Sequence, residues 1–164
     1  MAAAGDYEQR KARFNRMLTV YGRKPVLEAL RDQSLQCQTL HMAGSNRPGG
    51  IIGEIREAAA ARDIPVRTHE RDALSRISKN QRQDQGVALD ILCPGFRGRE
   101  DYLQTVANGE TQRLLALDGI SNPQNLGMII RSAVAGAIDG IVLPRRGNAA
   151  LGPLVIKACG GCIY

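Results

Sequence analysis

The sequence predicts an α/β fold that is built from two successive units. Segments of strand-like composition alternate with segments whose apolar residues recur at helical spacing, which is the pattern of layered α/β structures. A stretch that contains Pro94, Gly95 and Gly98 interrupts this alternation. After the interruption, an apolar segment at 114–117 is followed by a loop and then by a helix-like segment, as in a parallel α/β sheet.

Composition restricts the class of protein. The chain has 164 residues, of which 43% are hydrophobic and 23% are charged, as expected for a folded globular protein. It lacks an unbroken apolar run of about 18 residues, and residues 1–18 carry acids and bases where a signal peptide would be apolar, so we expect a cytoplasmic protein with no membrane segment. The cysteines are then expected to be free thiols: Cys37, Cys93, Cys159 and Cys162.

The charge balance points to a polyanionic partner. The formal net charge is +6 and the pI is about 9.5. Binding to nucleic acid is favoured when Lys and Arg neutralise phosphates and release counterions. A basic surface without any nucleic-acid partner would give the same charge, so charge alone leaves both alternatives open.

The N-terminal residues 1–18 are predicted to form a mobile basic arm. Residues 5–16 have too few apolar positions for a helix that faces a core. The basic residues of this arm are Arg10, Lys11, Arg13 and Arg16. Two further cations, Arg23 and Lys24, follow shortly after it.

The first α/β unit is predicted to span residues 19–93. Pro25 suits the first position of a short helix whose apolar face contains Val26, Leu27 and Leu30. The following predicted elements are a strand at 39–43, a loop at 44–50, a helix with apolar residues at 51, 52, 55 and 59, an extended piece at 64–66, a helical turn after Asp72, and a strand with alternating Val87, Leu89 and Ile91.

The glycine-rich loop at 44–50 precedes a predicted helix. Free N–H groups at the start of that helix favour anions, so the loop could contact a phosphate together with Arg47. It lacks the GK[ST] ending of a P-loop, and a simple turn is the alternative.

The second unit is predicted to follow a charged linker at 94–112, which contains one weakly amphipathic piece around Tyr102, Leu103 and Val106. Its predicted elements are a strand at 114–117, a helix at 125–135 closed by Gly136, a strand at 141–143 and a helix opened by Pro153. Two strands and two helices leave a strand edge and a sheet face uncovered, so we expect residues 113–164 to be an incomplete domain.

The segment from Asp118 to Arg131 lies where a predicted strand leads into a predicted helix, a common ligand-binding position in α/β sheets. We expect Asn125 to cap this helix and Gly127 to allow another backbone to approach it. Arg131 lies about 600° further around an ideal helix, so a site shared with Asn125 requires that Asn125 acts from the cap. A capped helix with an exposed arginine is the alternative.

This segment resembles motif 1 of the SpoU family in the SPOUT class of methyltransferases, whose pattern is Asn-Pro-x-Asn-x-Gly-x-Ile-x-Arg. Every fixed position is present: Asn122, Pro123, Asn125, Gly127, Ile129 and Arg131. Residues 21–30, 64–66 and Leu74 resemble the auxiliary RNA-binding domain of that family. This domain usually contains His-Gln-Gly before its last strand, and here Asp84 replaces the histidine.

The resemblance implies a SPOUT-type knotted domain, of which residues 113–164 are the first part, and an S-adenosyl-L-methionine-dependent methyltransferase that modifies a ribose 2′-hydroxyl in ribosomal or transfer RNA. It assigns Arg131 and Asn125 to catalysis. Because a guanidinium stays protonated, we expect Arg131 to stabilise the alkoxide or anchor a phosphate. The predicted contacts with structured RNA are Arg10, Lys11, Arg13, Arg16, Arg23, Lys24 and Asn122.

The cofactor-binding residues are not identified, because the two later family motifs that form this pocket are expected beyond Tyr164. The family resemblance also implies a homodimer at full length. We expect no metal, because no constellation of metal ligands stands out in the sequence. An RNA-binding module without catalysis is the alternative function. The spacing of Cys159 and Cys162 is compatible with zinc or redox chemistry, but His41 and His69 are isolated in the sequence and we expect packing at a helix end.

Overall fold

The computed structural model describes residues 13–107, 112–144 and 146–164, and the chain divides into two compact units at the bond between Pro94 and Gly95. The N-terminal part is called unit 1 and the C-terminal part unit 2. Each unit has its own sheet with helices, which confirms the predicted α/β class. Among the described residues, no helix combines the length and the apolar character needed to cross a membrane.

Unit 1 contains a four-stranded sheet in the order β1-β4-β2-β3. Its strands are β1 (Met17–Tyr21), β2 (Gln36–Ala43), β3 (Val66–His69) and β4 (Val87–Leu92). Strand β4 is antiparallel to β1 and to β2, whereas β2 and β3 are parallel. Strands β1, β2 and β3 therefore run in one direction, and their C-terminal ends meet at one edge of the sheet.

Three helices follow these three strands: α1 (Arg23–Arg31), α2 (Gly50–Ala60) and α3 (Arg71–Ser78). The main core contains fully buried side chains from both the sheet and the helices, including Val20, Leu30, Leu40, Ile55 and Leu89. A second cluster contains Ala43, Leu74 and Ala88. Because neighbouring residues of a strand point to opposite faces, α3 packs on the face opposite the main core.

Strand β1 was not expected from the sequence. Met17 and Leu18, which the sequence analysis placed in the basic arm, are its first residues, and Leu18 is only 5% exposed. Strand β1 pairs with β4 along its whole length, and a strand as short as this is stable only when it is part of a sheet. The prediction that Pro25 is the first residue of helix α1 was also wrong, because the helix begins at Arg23.

Unit 2 contains a parallel pair of strands, β5 (Leu114–Ala116) and β6 (Gly140–Val142). Its helices are α4 (Arg99–Ala107), which lies in the predicted linker, α5 (Pro123–Ala135) and α6 (Pro153–Cys159). The core of the unit contains Leu117, Leu126, Ile130, Val155 and Cys159. Gly136 caps the C-terminus of α5 and Pro153 opens α6, as predicted.

Gly127 lies where α5 and α6 touch. A Cβ atom at this position would lie 2.5 Å from the Cβ of Ala158 and 2.6 Å from the carbonyl oxygen of Val155. Such distances are too short for any side chain, so the absence of a Cβ allows the two helices to meet at backbone distance. The predicted close approach of another backbone to Gly127 is confirmed.

Candidate functional site

Helices α1, α2 and α3 all begin at the edge where β1, β2 and β3 end. Their N-caps are Gly22, Gly49 and Glu70, and none of the three caps makes a side-chain hydrogen bond to its helix. The first turns of α1 and α2 also contain no acidic residue. The N–H groups at the start of α2, which no side chain caps, and the positive ends of the α1 and α2 dipoles therefore make this part of the edge favourable for anions.

An open cavity of about 530 Å³ lies at the start of α2. Arg23 from α1 and Arg47 from the loop before α2 both line it, and the other lining residues are Ser45, Pro48, Gly49, Gly50, Ile51 and Ile52. None of these lining residues, all within the described part of the chain, carries a carboxylate. The fold therefore brings together a cation from the predicted RNA contacts and the arginine of the glycine-rich loop. We call Arg23, Lys24, Arg47 and the first turns of α1 and α2 the cationic edge.

Hydrogen bonds hold the turn before β4 against the cationic edge. The Nε–H of Arg23 donates to the carbonyl of Gln85 at 3.2 Å, and the backbone N–H of Arg23 donates to Oε1 of Gln85 at 3.1 Å. The side-chain amide of Asn46 donates to the carbonyl of Gly86 at 2.7 Å. The turn thus connects α1 to the loop that carries Arg47.

Asp84 has a structural role in the same turn. Its carboxylate is fully buried and accepts hydrogen bonds from the Ser78 hydroxyl and the Gly86 N–H, both at 2.9 Å. A guanidinium nitrogen of Arg71 lies 3.2 Å from its Oδ1. A carboxylate, which only accepts hydrogen bonds, satisfies these donors at the position where the resemblance leads one to expect a histidine.

The other predicted RNA contacts are not gathered in one place. Arg13 and Arg16 precede β1, whereas Arg23 and Lys24 follow it, so the length of this strand, about 3.3 Å per residue, separates the two pairs. A guanidinium nitrogen of Arg13 donates to Oε1 of Gln38 at 2.6 Å, beside the start of β2. Arg10 and Lys11 lie outside the described residues.

The two histidines contact each other, which the sequence did not indicate. His41 Nδ1 and His69 Nε2 are hydrogen-bonded at 2.9 Å. His41 Nε2 donates to Oδ2 of Asp90 at 3.0 Å, and the Thr19 hydroxyl donates to Oδ1 of Asp90 at 2.7 Å. These four side chains, one from each strand, form a hydrogen-bonded row across the sheet, which we call the sheet-crossing row. Because the two histidines are 28 positions apart, no local sequence pattern indicated this contact.

Two groups of the sheet-crossing row have shifted pKa values. Burial raises the pKa of the Asp90 carboxyl, but the hydrogen bonds from His41 and Thr19 outweigh burial and hold this pKa below its usual value. Burial lowers the pKa of His69, and electrostatic interactions with His41 and Arg67 lower it further. Asp90 is therefore ionised near neutral pH, and His69 is mainly neutral.

In unit 2, Asn122 caps the helix that follows β5. Its side-chain oxygen accepts hydrogen bonds from the N–H groups of Gln124 at 2.8 Å and Asn125 at 3.2 Å, and Pro123 is the first helical residue. The prediction that Asn125 caps the helix was wrong. An asparagine followed by proline fits the cap and the first turn better, because proline has no N–H to satisfy.

Asn125 and Arg131 are both exposed on α5 and lie six residues apart. On an ideal helix, this spacing places them about 120° apart around the axis and about 9 Å apart along it. The condition for a shared site, that Asn125 acts from the cap, is therefore not met within α5. Burial raises the pKa of the Cys162 thiol and Cys159 raises it further, whereas the charge of Arg131 lowers it by less.

Asn148 is a site residue that the sequence analysis missed. Its Oδ1 accepts a hydrogen bond from the N–H of Ile120 at 2.7 Å, and its amide nitrogen donates to the carbonyl of Leu117 at 3.4 Å. The loop after β6 therefore fixes the loop after β5, where the motif begins. The Gly-Asn pair at 147–148 is a turn signal, but its long-range partner could not be found from the sequence.

Asn122 and Asn148 alone do not form a pocket for S-adenosyl-L-methionine. The side-chain oxygens of Asn122 and Asn148 already accept hydrogen bonds from the loop and the helix. A cofactor pocket needs convergent polar groups that are free to bind the ligand.

The cysteines show the packing that the sequence suggested. All four are free thiols, and Cys159 is buried at the end of α6, where its Sγ lies 3.2 Å from the carbonyl oxygen of Ile156. Within the ranges that the structure describes, no group of three or more His, Cys, Asp or Glu side chains is arranged to hold a metal ion.

Comparisons with known proteins agree with this architecture. Residues 19–92 match the family described as RNA 2′-O ribose methyltransferase substrate binding. An uncharacterized tRNA/rRNA methyltransferase of Mycolicibacterium smegmatis is 34% identical over 162 residues, which cover 98% of this chain and 51% of the relative. Another one, from Mycobacterium ulcerans, is 32% identical over 143 residues, which cover 87% of this chain and 46% of the relative.

Among solved structures, the SpoU methyltransferase AviRb from Streptomyces viridochromogenes, in complex with the cofactor AdoMet, has a similar fold. The alignment has a TM-score of 0.50 and 17% identity, and it covers 90% of this chain and 52% of the AviRb chain. The chain spans about half the length of the curated relatives that it matches.

Proposed function

Since the chain belongs to the SpoU family of RNA methyltransferases, we propose that unit 1 binds structured ribosomal or transfer RNA for methylation of a ribose 2′-hydroxyl. Unit 2 contributes the first part of the catalytic domain. The observation that carries the RNA-binding role is the cationic edge, where Arg23 and Arg47 line one cavity at the start of α2.

The chemistry of this edge suits an RNA phosphate. Guanidinium groups present a fork of N–H donors that matches phosphate oxygens, and a phosphate between Arg23 and Arg47 would receive charge-assisted hydrogen bonds from two directions. The uncapped N–H groups of α2 add donors that need no side chain. Contacts of this kind hold the RNA backbone without reading its sequence.

We assign Arg131 to the stabilisation of the negative charge that develops on the ribose 2′ oxygen in the transition state. The arginine is exposed on α5, so RNA can reach it, and its guanidinium remains protonated throughout. The methyl donor is S-adenosyl-L-methionine by family membership. Asn125 lies on a different side of α5, so its contribution is to orient RNA or a neighbouring segment and not to share a contact with Arg131.

For the 164-residue chain, we propose RNA binding without methyl transfer. The oxygens of Asn122 and Asn148 are engaged in holding the loop and the helix, and further polar groups are required for a complete cofactor pocket. This favours the RNA-binding module as the role of these residues taken alone.

Fluorescence anisotropy with labelled transfer RNA tests the role of the cationic edge. Replacement of Arg23 and Arg47 by glutamine should weaken binding by at least tenfold at low salt. The matched control is Arg31→Gln, which removes one cation at the opposite end of α1 and only an exposed ion pair with Glu54. Equal losses in both variants would show that the cationic edge is not the contact surface.

A further inference from the structure

The sheet-crossing row contains a place for one additional proton. The Asp90 carboxylate only accepts hydrogen bonds, so His41 must donate to it from Nε2. His41 Nδ1 is then an acceptor, and His69 must donate to it from Nε2. This leaves Nδ1 of His69 as the position that can take up a proton while every hydrogen bond of the row is kept.

His69 is close to the cationic edge. It is the last residue of β3, and its carbonyl accepts a hydrogen bond at 2.9 Å from the N–H of Gly44, where the loop that carries Arg47 begins. Its parallel register with Ala43 places its backbone beside the end of β2. His69 and the loop that carries Arg47 therefore lie at the same end of the sheet.

The charged groups around His69 come from each element packed on this face. Strand β4 contributes Asp90, which acts through His41 on β2, and β3 contributes Arg67, which lies two residues before His69. Helix α3 begins with Glu70 as its cap, Arg71 and Asp72, and Arg71 is paired with Asp84. Strand β1 contributes Thr19, which carries no charge.

We propose that His69 is a proton-linked contact of the RNA-binding surface: it is neutral in the free protein and takes up a proton from solvent at Nδ1 when an RNA phosphate binds beside it. The proposal rests on the RNA-binding role of unit 1. The chemical class of ligand is the phosphodiester of an RNA backbone, and the protonated ring adds a second cation beside Arg67.

The balance of charges explains why binding and protonation are coupled. Burial, His41 and Arg67 all lower the pKa of His69 in the free protein, so the charged ring is disfavoured there. A bound phosphate supplies a negative charge that offsets these effects and raises the pKa of the ring. By linkage, RNA then binds more tightly as pH falls, by at most about tenfold per pH unit for one proton.

Isothermal titration calorimetry of the whole chain with unfractionated bacterial transfer RNA measures this coupling. Titrations at about pH 7 in two buffers of different ionisation enthalpy give the number of protons taken up, near the working range of histidine. We expect net proton uptake for the wild type and for the control Arg31→Gln. His69→Gln, whose amide can still donate to His41, should lose that uptake.

Nuclear magnetic resonance of the imidazoles provides a second measurement that needs no variant. The chain has two histidines, so their ring signals can be assigned directly. The expected result is a His69 pKa that rises when transfer RNA is added, while His41 keeps its proton on Nε2. An unchanged His69 pKa in the complex would overturn the proposal, as would full proton uptake by a folded His69→Gln variant.

Different results contradict the role of His69 and the RNA-binding function of unit 1. Transfer RNA that binds with no proton uptake contradicts the role of His69 and leaves the RNA-binding function of unit 1 intact. Absence of binding at every pH contradicts both.

Discussion

Gly127 on α5 and Ala158 on α6 lie so close that a Cβ atom at Gly127 would be 2.5 Å from the Cβ of Ala158. Gly127→Ala should therefore force the helices apart and destabilise unit 2 by about 1–3 kcal/mol. Hydrogen exchange of the α5 and α6 amides measures this effect.

The matched control for Gly127 is Gly53→Ala in α2, where a Cβ would meet no atom within 4 Å. Removal of a helical glycine in open space should leave unit 1 unchanged or stabilise it by up to about 1 kcal/mol. If the two substitutions had the same effect on their helices, the close packing of α5 on α6 would not be the reason for a glycine at position 127.

Asp84 provides a second test of packing, in unit 1. Asp84→Ala removes the acceptor for the Ser78 hydroxyl and the Gly86 N–H. Because these buried donors are then left without a hydrogen bond, the substitution should destabilise the unit by roughly 1–3 kcal/mol. Asp84→Asn keeps an oxygen acceptor and should cost less. Urea unfolding followed by circular dichroism compares both variants with Glu57→Ala, an exposed position on α2. An Asp84→Ala variant as stable as the Glu57 control would contradict the structural role of the carboxylate.

The sheet-crossing row makes the stability of unit 1 depend on pH. The pKa of His69 is lower in the folded state than in the unfolded chain, so below the usual value of about 6.5 the unfolded chain binds more protons. The free energy of unfolding should therefore fall as pH falls from 7 toward the folded-state pKa. Thermal unfolding across this range should show a weaker dependence in His69→Gln. A wild-type curve as flat as that of the variant would argue against the lowered pKa.

Local patterns predicted much of this fold, and long-range contacts account for the rest. The alternation of Val87, Leu89 and Ile91 identified β4, because one face of each strand must be buried. Strand β1 was missed because it has only five residues and follows several cations, and its partner β4 lies far away in the sequence. The contact between His41 and His69 joins residues that are 28 positions apart, which no periodicity indicates.

In the candidate sites, too, local patterns were predicted and long-range contacts were missed. Motif spacing correctly identified the helix that carries Arg131, and Gly127 was correctly explained by close backbone approach. The cap was wrongly assigned to Asn125, although Pro123 favours a helix that begins at position 123 and therefore a cap at Asn122. Asn148 was missed because its partners, Ile120 and Leu117, lie in a loop that meets it only after folding.

The proposed role of Arg131 is tested in a form of the protein that contains the whole catalytic domain. Arg131→Ala should reduce methyl transfer by about 10²–10³-fold, because it removes a donor that stabilises the developing alkoxide. Incorporation of labelled methyl groups into transfer or ribosomal RNA measures the rate. The neighbouring exposed residue serves as the control in Ser132→Ala. Near-normal turnover in Arg131→Ala would mean that Arg131 is only an exposed arginine on a capped helix and has no catalytic role.

The salt dependence of RNA binding tests the central claim, that the cationic edge is a phosphate-binding surface, most directly. For the whole chain with transfer RNA, the logarithm of the association constant should fall linearly with the logarithm of salt concentration. Loss of Arg23 and Arg47 together should make this slope shallower by about one for each phosphate contact removed. Arg31→Gln should keep the wild-type slope. A slope that is the same in the wild type and in the Arg23/Arg47 double variant would contradict the account.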